Sequence, residues 1–326
     1  MNIDFIVRTI ADIISSSTPI VLASVGETIS EKSGVINLSL DGSIALSAMT
    51  GFAVAFATDS WLLGLLAGMA VGALIALVVA FASITLRQEQ VAVGFVLTML
   101  CTDLADFLGN PYVRTRGPQA PFTPLPWLSE IPVLGPILFN HSLVVYVGLL
   151  SILLTWLWIH RTQPGLKLQG VGERPESAFA RGVNVSRMRY IYTAVGGALV
   201  GLGGASYSLS IKLGWSHRHT FGIGWIALAI VIFGGWNPWR VAAGSYLFGL
   251  LKALGSILQR NPAFAGVPTQ IFSSAPFALM IFALLLINSK GVDRLLDLLP
   301  PRLARRIDRA IRGRPPAGLG RPFVQQ

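Results

Sequence analysis

The stretch WLLGLLAGMAVGALIALVVAFASITL, residues 61–86, decides the fold of this chain. It carries no charged side chain along its whole length, and Arg87 follows it at once. About 20 apolar residues in a helix are enough to cross the hydrocarbon core of a bilayer. Small residues repeat at every fourth position on one helix face, which allows close packing against a neighbouring helix; they are Gly64, Gly68 and Gly72. The stretch therefore predicts a packed transmembrane helix.

The composition of the whole chain agrees with a membrane location. Of its 326 residues, 12% are charged and 53% are hydrophobic, and the mean hydropathy is +0.64. Soluble domains carry about 25% charged residues, so this chain cannot cover a water-facing surface of its size. These values exclude a soluble enzyme, a disordered protein and a disulfide scaffold. The apolar runs are continuous, whereas a transmembrane barrel has alternating segments of about ten residues.

We predict an all-α polytopic transmembrane bundle of about nine spans, with eight to ten allowed by the length of the apolar runs. The first span is rich in serine and therefore weak, and the single cysteine, Cys101, lies inside a later span. The predicted spans are 10–26, 35–57, 61–86, 90–108, 141–159, 190–211, 222–238, 239–258 and 268–288.

The net charge of +10 is concentrated in two segments. Residues 160–189 hold six arginines or lysines, and the tail from Lys290 holds nine. The positive-inside rule puts both segments on the cytoplasmic side, and the four predicted spans between them are consistent with that. The proline-rich loop 109–140 is then external, and the side of the N-terminus stays open. We expect the tail to begin as an interfacial amphipathic helix and then to fray.

The sequence contains no recognisable motif for catalysis or for binding a nucleotide. None of its five lysines follows a glycine, so it has no P-loop. Residues 222–227 imitate a dinucleotide fingerprint, but they lie in an apolar span without a preceding strand. His217 and His219 have no third ligand nearby in sequence, and a solvated loop explains them better than a metal site. We therefore predict no catalytic residue and no metal site.

Three segments stand out from the apolar background. The first, residues 27–42, brings three carboxylates, Asn37 and two glycines to the start of a predicted span. Asn37 and Asp41 are four residues apart and would share a face if both were helical. A broken helix that faces a cavity or a partner chain is one interpretation. A cytoplasmic loop followed by an ordinary helix start is the other.

The second segment, residues 172–189, predicts a short helix of about two turns in a cytoplasmic loop. Pro175 suits the first turn of a helix and Gly182 suits its end. Small side chains between them favour close docking to another surface; they include Ser177, Ala178 and Ala180. A plain basic loop between spans is the alternative.

The third segment, residues 222–238, combines small residues with two tryptophans. Gly224 and Gly234 allow tight helix packing, and the final Gly-Gly-Trp-Asn-Pro sequence forces a turn. Packing is the favoured interpretation, and a substrate path is the alternative. The candidates for lining such a path are Asn37, Asp41, Trp225 and Trp236.

These three segments, together and in this order, resemble the permease subunits of ABC importers of the branched-chain amino acid/simple sugar class. The nearest resemblance is to the shorter permease of nucleoside-type importers, and it covers roughly residues 20–295. Ser39 stands where a glycine is common, and Asp41 stands where a glutamate is frequent. The resemblance implies a type II-like importer fold. Residues 1–290 would form the transmembrane permease domain, and residues 291–326 would form a basic cytoplasmic tail.

The resemblance also implies a complete transport mechanism in a bacterial plasma (inner) membrane. Two permease chains, as a hetero- or homodimer, form the path for a small polar solute, in the nearest relatives a nucleoside, with simple sugars next. An external solute-binding protein, a lipoprotein in nucleoside relatives, delivers the solute. ATP and magnesium are bound by a separate ATPase, so this chain is not an enzyme and holds no cofactor. The ATPase contacts implied in the coupling loop 160–189 are Gly172, Glu173, Arg174, Pro175, Ser177, Ala178 and Gly182.

An ion-coupled secondary transporter is the alternative function. It needs a coupling-ion site at membrane depth, for which Asp103 and Asp106 lie too near the outer end of their span. The full set of candidate charges is Glu27, Asp41, Asp103, Asp106 and Lys252. A membrane-embedded enzyme is the second alternative, and the catalytic constellation that it needs is not found.

Overall fold

The computed structural model describes residues 3–260 and 313–323, and scattered positions between 267 and 300. No β-strand is formed among these residues, which confirms the all-α prediction. The helices are α1 Ile3–Lys32, α2 Leu40–Thr58, α3 Trp61–Ala80, α4 Gln90–Gly109, α5 Leu143–Arg161, α6 Gln163–Glu173, α7 Pro175–Ala180, α8 Val185–Ser206, α9 Ile223–Phe233 and α10 Pro238–Gln259. Short π-helical segments are Phe81–Thr85 after α3, Gly135–Phe139 before α5 and Tyr207–Ile211 after α8, and Asn110–Tyr112 forms a 3₁₀ turn.

Seven described helices are long and apolar enough to cross a membrane: α1, α2, α3, α4, α5, α8 and α10. The predicted count of about nine is therefore not reached in the described part of the chain. The span predicted at 222–238 contains only the 11-residue α9. Such a helix is about 16 Å long, half of the roughly 30 Å that a hydrocarbon core requires. The span predicted at 268–288 lies largely outside the described residues.

An irregular segment, residues 33–39, separates α1 from α2 and corrects the predicted start of the second span. α1 continues to Lys32, and α2 begins only at Leu40. The chain turns at Gly34, whose φ of +93° is favoured only by glycine. Asn37 is not helical, so it does not share a helix face with Asp41 as the spacing of four residues suggested.

The centre of the bundle is formed by α1, α2 and α8, with α4 at its periphery. Of the most apolar 18-residue stretch of each helix, 72% of the residues are buried in α2 and 67% in α8, against 22% in α4. The glycine face of α3 packs on this centre, with Gly72 against Gly197 and Gly201 of α8. A Cβ at Gly72 would collide with the α8 backbone, so the two helices touch without side chains between them.

The end of the described chain returns to the bundle. Residues 313–323, called the C-terminal strap from here on, lie across the α6–α7 junction and segment 33–39. Gly318 N–H donates to the Gly172 carbonyl at 2.8 Å, and Gly320 N–H donates to the Gly34 carbonyl at 3.1 Å. The prediction that the tail frays is therefore wrong for the strap. The stretch predicted as an amphipathic helix lies mostly outside the described residues.

Candidate functional site

Asp41, at the start of α2, caps the start of α9. Its Oδ1 accepts a hydrogen bond from Gly224 N–H at 2.9 Å, and its Oδ2 accepts one from Gly222 N–H at 3.3 Å. These N–H groups lie at the positive end of the α9 dipole, where a carboxylate is stabilising. A Cβ at Gly224 would collide with the backbone of Asp41. The interior of the bundle therefore contains the N-terminus of a half-length helix, held by one buried carboxylate.

Two buried glutamates of α1 accept hydrogen bonds from the segments that precede α2 and follow α9. Glu27 Oε1 accepts a hydrogen bond from Asn37 N–H at 3.0 Å, and Glu31 accepts one from the indole N–H of Trp236. Both side chains are at most 2% exposed. Within the described part of the chain, the second carboxylate oxygen of Glu27 and the side-chain nitrogen of Asn37 have no hydrogen-bond partner. Each glutamate is therefore held by one described hydrogen bond, and some buried polar atoms beside them have no described partner.

The four residues named for a substrate path do not form one cluster. Asn37 and Trp236 donate hydrogen bonds to the buried glutamates of α1, whereas Asp41 accepts hydrogen bonds at the start of α9. Each of these three residues is at most 5% exposed. Trp225 lies in the first turn of α9, directly after Gly224, and packs against Phe95 with ring centroids 5.3 Å apart. Their part in a substrate path stays a prediction, because the contacts found for them hold helices together.

The loop between α5 and α8 folds into the two short helices α6 and α7. α7 begins at Pro175, and Gly182 follows its end with a φ of +81°, which confirms the predicted short helix. α6 was missed, because its sequence is polar and rich in glycine and resembles a loop. Its start is fixed by the Thr162 hydroxyl, which accepts a hydrogen bond from Gly165 N–H at 3.2 Å.

The residues named for ATPase contact divide into two groups by exposure. One group is buried and packs the helices onto the bundle: Gly172, Pro175 and Ala178. The other is exposed and is available to a partner: Glu173, Arg174, Ser177 and Gly182. The buried group continues into a small apolar cluster with Val171 and Val185. The loop therefore presents a polar outer surface on a firmly packed base.

A cavity of about 340 Å³ lies between α1, α9, α10 and the segment that follows α8. Aromatic rings form part of its wall: Tyr207, His219, Phe221, Phe248 and Phe277. Polar side chains form another part: Ser16, Ser17, Lys252, Ser256 and Gln259. Of its lining residues, the sequence had pointed to Lys252, as a candidate charge at membrane depth, and to His219, which was assigned to a solvated loop. The rings could not be predicted, because they come from four distant parts of the chain.

His219 is fixed in the wall of this cavity by ring contacts and hydrogen bonds, including an edge contact with Trp215 at 4.6 Å between ring centroids. Its ring stacks on Tyr207 with centroids 5.5 Å apart. Its Nδ1 donates to the Ser216 carbonyl, and its Nε2 accepts from the Ser208 hydroxyl at 3.2 Å. Burial lowers the pKa of His219, so the ring is neutral at pH 7 and has the tautomer that these two bonds require.

The other histidine of this loop points elsewhere. His217 Nδ1 lies 3.4 Å from Asp106 Oδ1, and Arg218 Nε lies 3.7 Å from Asp106 Oδ2. The two histidines therefore have different partners. Asp106, considered above for an ion site, ties the end of α4 to the segment between α8 and α9. No three potential metal ligands come together within the described ranges.

The sequence of this chain is similar to known transport proteins. A family model described as "Branched-chain amino acid transport system / permease component" matches residues 9–286. The putative glucose ABC transporter permease protein TsgC13 of Haloferax volcanii is 39% identical over 245 residues, which cover 74% of each chain. The guanosine ABC transporter permease protein NupQ of Bacillus subtilis is 36% identical over 283 residues, 82% of this chain and 88% of that protein.

The nucleoside ABC transporter permease protein NupC of Lactococcus lactis is 31% identical over 295 residues. The match covers 87% of this chain and 93% of that protein. The search of solved structures gave no significant match.

Proposed function

This chain belongs to the family of permease components of branched-chain amino acid transport systems, and we propose that the solute it carries is a nucleoside. The observation that carries this proposal is the similarity of most of the chain to permeases named for guanosine and for nucleosides. A simple sugar is the second candidate, favoured by the similarity to a permease named for glucose.

The permease works as one part of an ABC importer. It would form half of the translocation path, and a second permease subunit of the same or a different sequence would form the other half. An external solute-binding protein, a lipoprotein, would deliver the solute. A separate ATPase would bind ATP and magnesium and supply the energy. The family match supports an ATPase and a binding protein as partners.

We propose a bacterial inner membrane location, with the loop 160–189 and the C-terminus in the cytoplasm. The contact of the C-terminal strap with the α6–α7 junction supports a common side for the two basic segments. The positive-inside rule favours the cytoplasm for that side. Residues 1–290 would then form the permease domain, and residues 291–326 would form a basic tail that is partly packed onto it.

The α6–α7 loop is the proposed docking site of the ATPase. Its exposed side chains, Glu173, Arg174 and Ser177, are available to a partner, whereas Pro175 and Ala178 are buried. Movement of a docked ATPase would reach the bundle through this packed base as a rigid-body shift.

The cavity beside His219 is the proposed site of contact with the nucleoside. A volume of about 340 Å³ lies within the range of small-molecule sites. Nucleobases stack on aromatic side chains, which Tyr207 and Phe248 offer. Hydroxyl groups of a ribose require hydrogen-bonding side chains, which Ser16 and Ser256 offer. A mixed wall of this kind suits a nucleoside better than a purely apolar solute.

Uptake in cells tests the solute. Cells that carry the complete transport operon, with and without this chain, are given radiolabelled nucleosides, sugars and amino acids in turn. We expect nucleoside uptake to disappear in the deletion and to return when the chain is supplied again. Undiminished nucleoside uptake in the deletion would contradict the proposal, and a selective loss of sugar uptake would favour the second candidate.

The same complementation assay tests the cavity. Ser256→Trp places a large ring at the cavity wall and should lower nucleoside uptake strongly at an unchanged membrane level. Leu258→Trp is the matched control, because Leu258 lies on the same helix, is 40% exposed and does not line the cavity. Equal uptake by the two variants would rule out the cavity as a contact site.

A further inference from the structure

The C-terminal strap contacts the proposed ATPase-docking loop through its backbone. Gly318 N–H donates to the Gly172 carbonyl at 2.8 Å, and Ala317 N–H donates to Glu173 Oε2 at 3.2 Å. Gly172 and Glu173 are the last two residues of α6, directly before the start of α7. The strap therefore binds the point at which the two helices of the loop meet.

The strap also holds segment 33–39 and the start of α8. Gly320 N–H donates to the Gly34 carbonyl at 3.1 Å, and the Arg321 carbonyl accepts a hydrogen bond from Arg189 Nη1 at 2.9 Å. Arg189 is only 2% exposed. Among the described residues, its Nε and Nη2 have no hydrogen-bond partner, and the strap accepts the hydrogen bond that its Nη1 donates. The strap thus links α6, α8 and the α1–α2 connection.

A hydrophobic contact completes the attachment. The ring of Phe323 lies 5.7 Å from the ring of Phe179 on α7, measured between centroids. Phe323 also packs on the apolar cluster that includes Val171, Ala178 and Val185. α7 has only six residues, and helices this short are not stable without tertiary contacts. The strap provides part of the packing that keeps α7 helical and in position.

We propose that the strap and α7 together form one composite docking surface for the ATPase, with the strap as the part that fixes the position of α7. The inference rests on the proposed function. Four arginines of the composite surface are exposed: Arg174, Arg181, Arg314 and Arg321. They outnumber the exposed acidic side chains Glu173 and Glu176, so the complementary face of the ATPase is acidic. Complementary charge of this kind favours association in the correct orientation.

Two changes to the strap test the proposal in the assembled importer. Phe323→Ala removes the contact with Phe179, and a chain that ends at residue 312 lacks the whole strap. Phe122→Ala is the matched control, because it removes a ring that is 63% exposed in the loop 109–140, outside the strap and α7. Each chain is purified from membranes in detergent, and the retained ATPase is measured per permease at matched membrane levels and matched size-exclusion profiles.

We expect Phe323→Ala to reduce the retained ATPase roughly tenfold, the factor that corresponds to about 1.4 kcal/mol. The shortened chain should lose at least as much, and Phe122→Ala should retain the wild-type amount. Wild-type retention by both strap variants would overturn the proposal. So would increased retention by the shortened chain, which would make the strap a cover over the docking site.

The outcomes distinguish a failure of the composite surface from a failure of the proposed function. If the wild-type chain retains no ATPase, both the proposed coupling and the composite surface are wrong. If the wild-type chain and both strap variants retain ATPase equally, only the composite surface is wrong. The assay needs no solute, so a wrong choice of nucleoside does not affect it.

Discussion

Asp41 is the residue on which the position of α9 depends most directly. Its carboxylate accepts hydrogen bonds from two N–H groups at the start of that helix, and it is 4% exposed. The N–H groups of a helix start have no partner within the helix. In the interior of a membrane protein no bulk water replaces a missing acceptor. The Asp41 side chain should therefore contribute more to stability than a capping side chain at an exposed helix end.

Asp41→Ala should lower the free energy of unfolding by about 1–3 kcal/mol, the cost of leaving a buried donor unsatisfied. The measurement is the thermal midpoint of the purified chain in detergent. Asp103→Ala is the control, because Asp103 is an exposed aspartate of α4. Equal midpoints for the two variants would show that the α9 cap does not contribute to stability.

The sequence predicted which single residues are important better than it predicted their partners. The importance of Asp41 could be predicted, because a carboxylate inside an apolar span needs a partner. Its partner could not, because Gly224 is 183 positions away. The hydrogen bond between Trp236 and Glu31 spans 205 positions and could not be predicted either. Sequence spacing also misled in one case, since it placed Asn37 on a helix that does not extend to it.

At the scale of elements, length and hydrophobicity predicted most of the long helices. α3, α4, α5 and α10 begin and end within a few residues of their predicted spans, because a bilayer demands an uninterrupted apolar helix. α9 was predicted as a full span over 222–238 and is shorter, because it ends at Phe233 and the chain turns at Gly234 and Gly235, where Gly235 has a φ of +58°. α6 was missed because its sequence is polar and rich in glycine, and the strap was missed because its position depends on contacts with distant residues.

The α6–α7 loop gives the prediction that belongs to this scale. Changing Glu173 and Arg174 together to Ala should abolish most ATPase retention and transport, because both side chains are exposed on the proposed docking loop and Glu173 also accepts the strap hydrogen bond. Lys167→Ala is the control, because it removes one exposed charge from α6 outside the named contact set. A double variant that assembles and transports at the full rate would contradict the assignment of the coupling loop.

At the scale of the whole molecule, the positive charge is concentrated in segments that lie in contact with each other. The excess of +10 belongs to residues 160–189 and to the tail from Lys290, and the strap brings described parts of both segments into contact. The bundle itself contains few charges, and those that it buries are held by hydrogen bonds. The chain is therefore organised as an apolar core with one basic end, which fits a permease driven by a partner at that end.

The most direct test of the account is transport by the reconstituted importer. Proteoliposomes containing this chain, its partner permease and the ATPase, with the binding protein outside, are given radiolabelled guanosine. We predict that guanosine accumulates only when ATP is enclosed, and that a sodium or proton gradient without ATP gives no accumulation. Accumulation that follows an ion gradient and ignores ATP would contradict the account and would identify the chain as a secondary transporter.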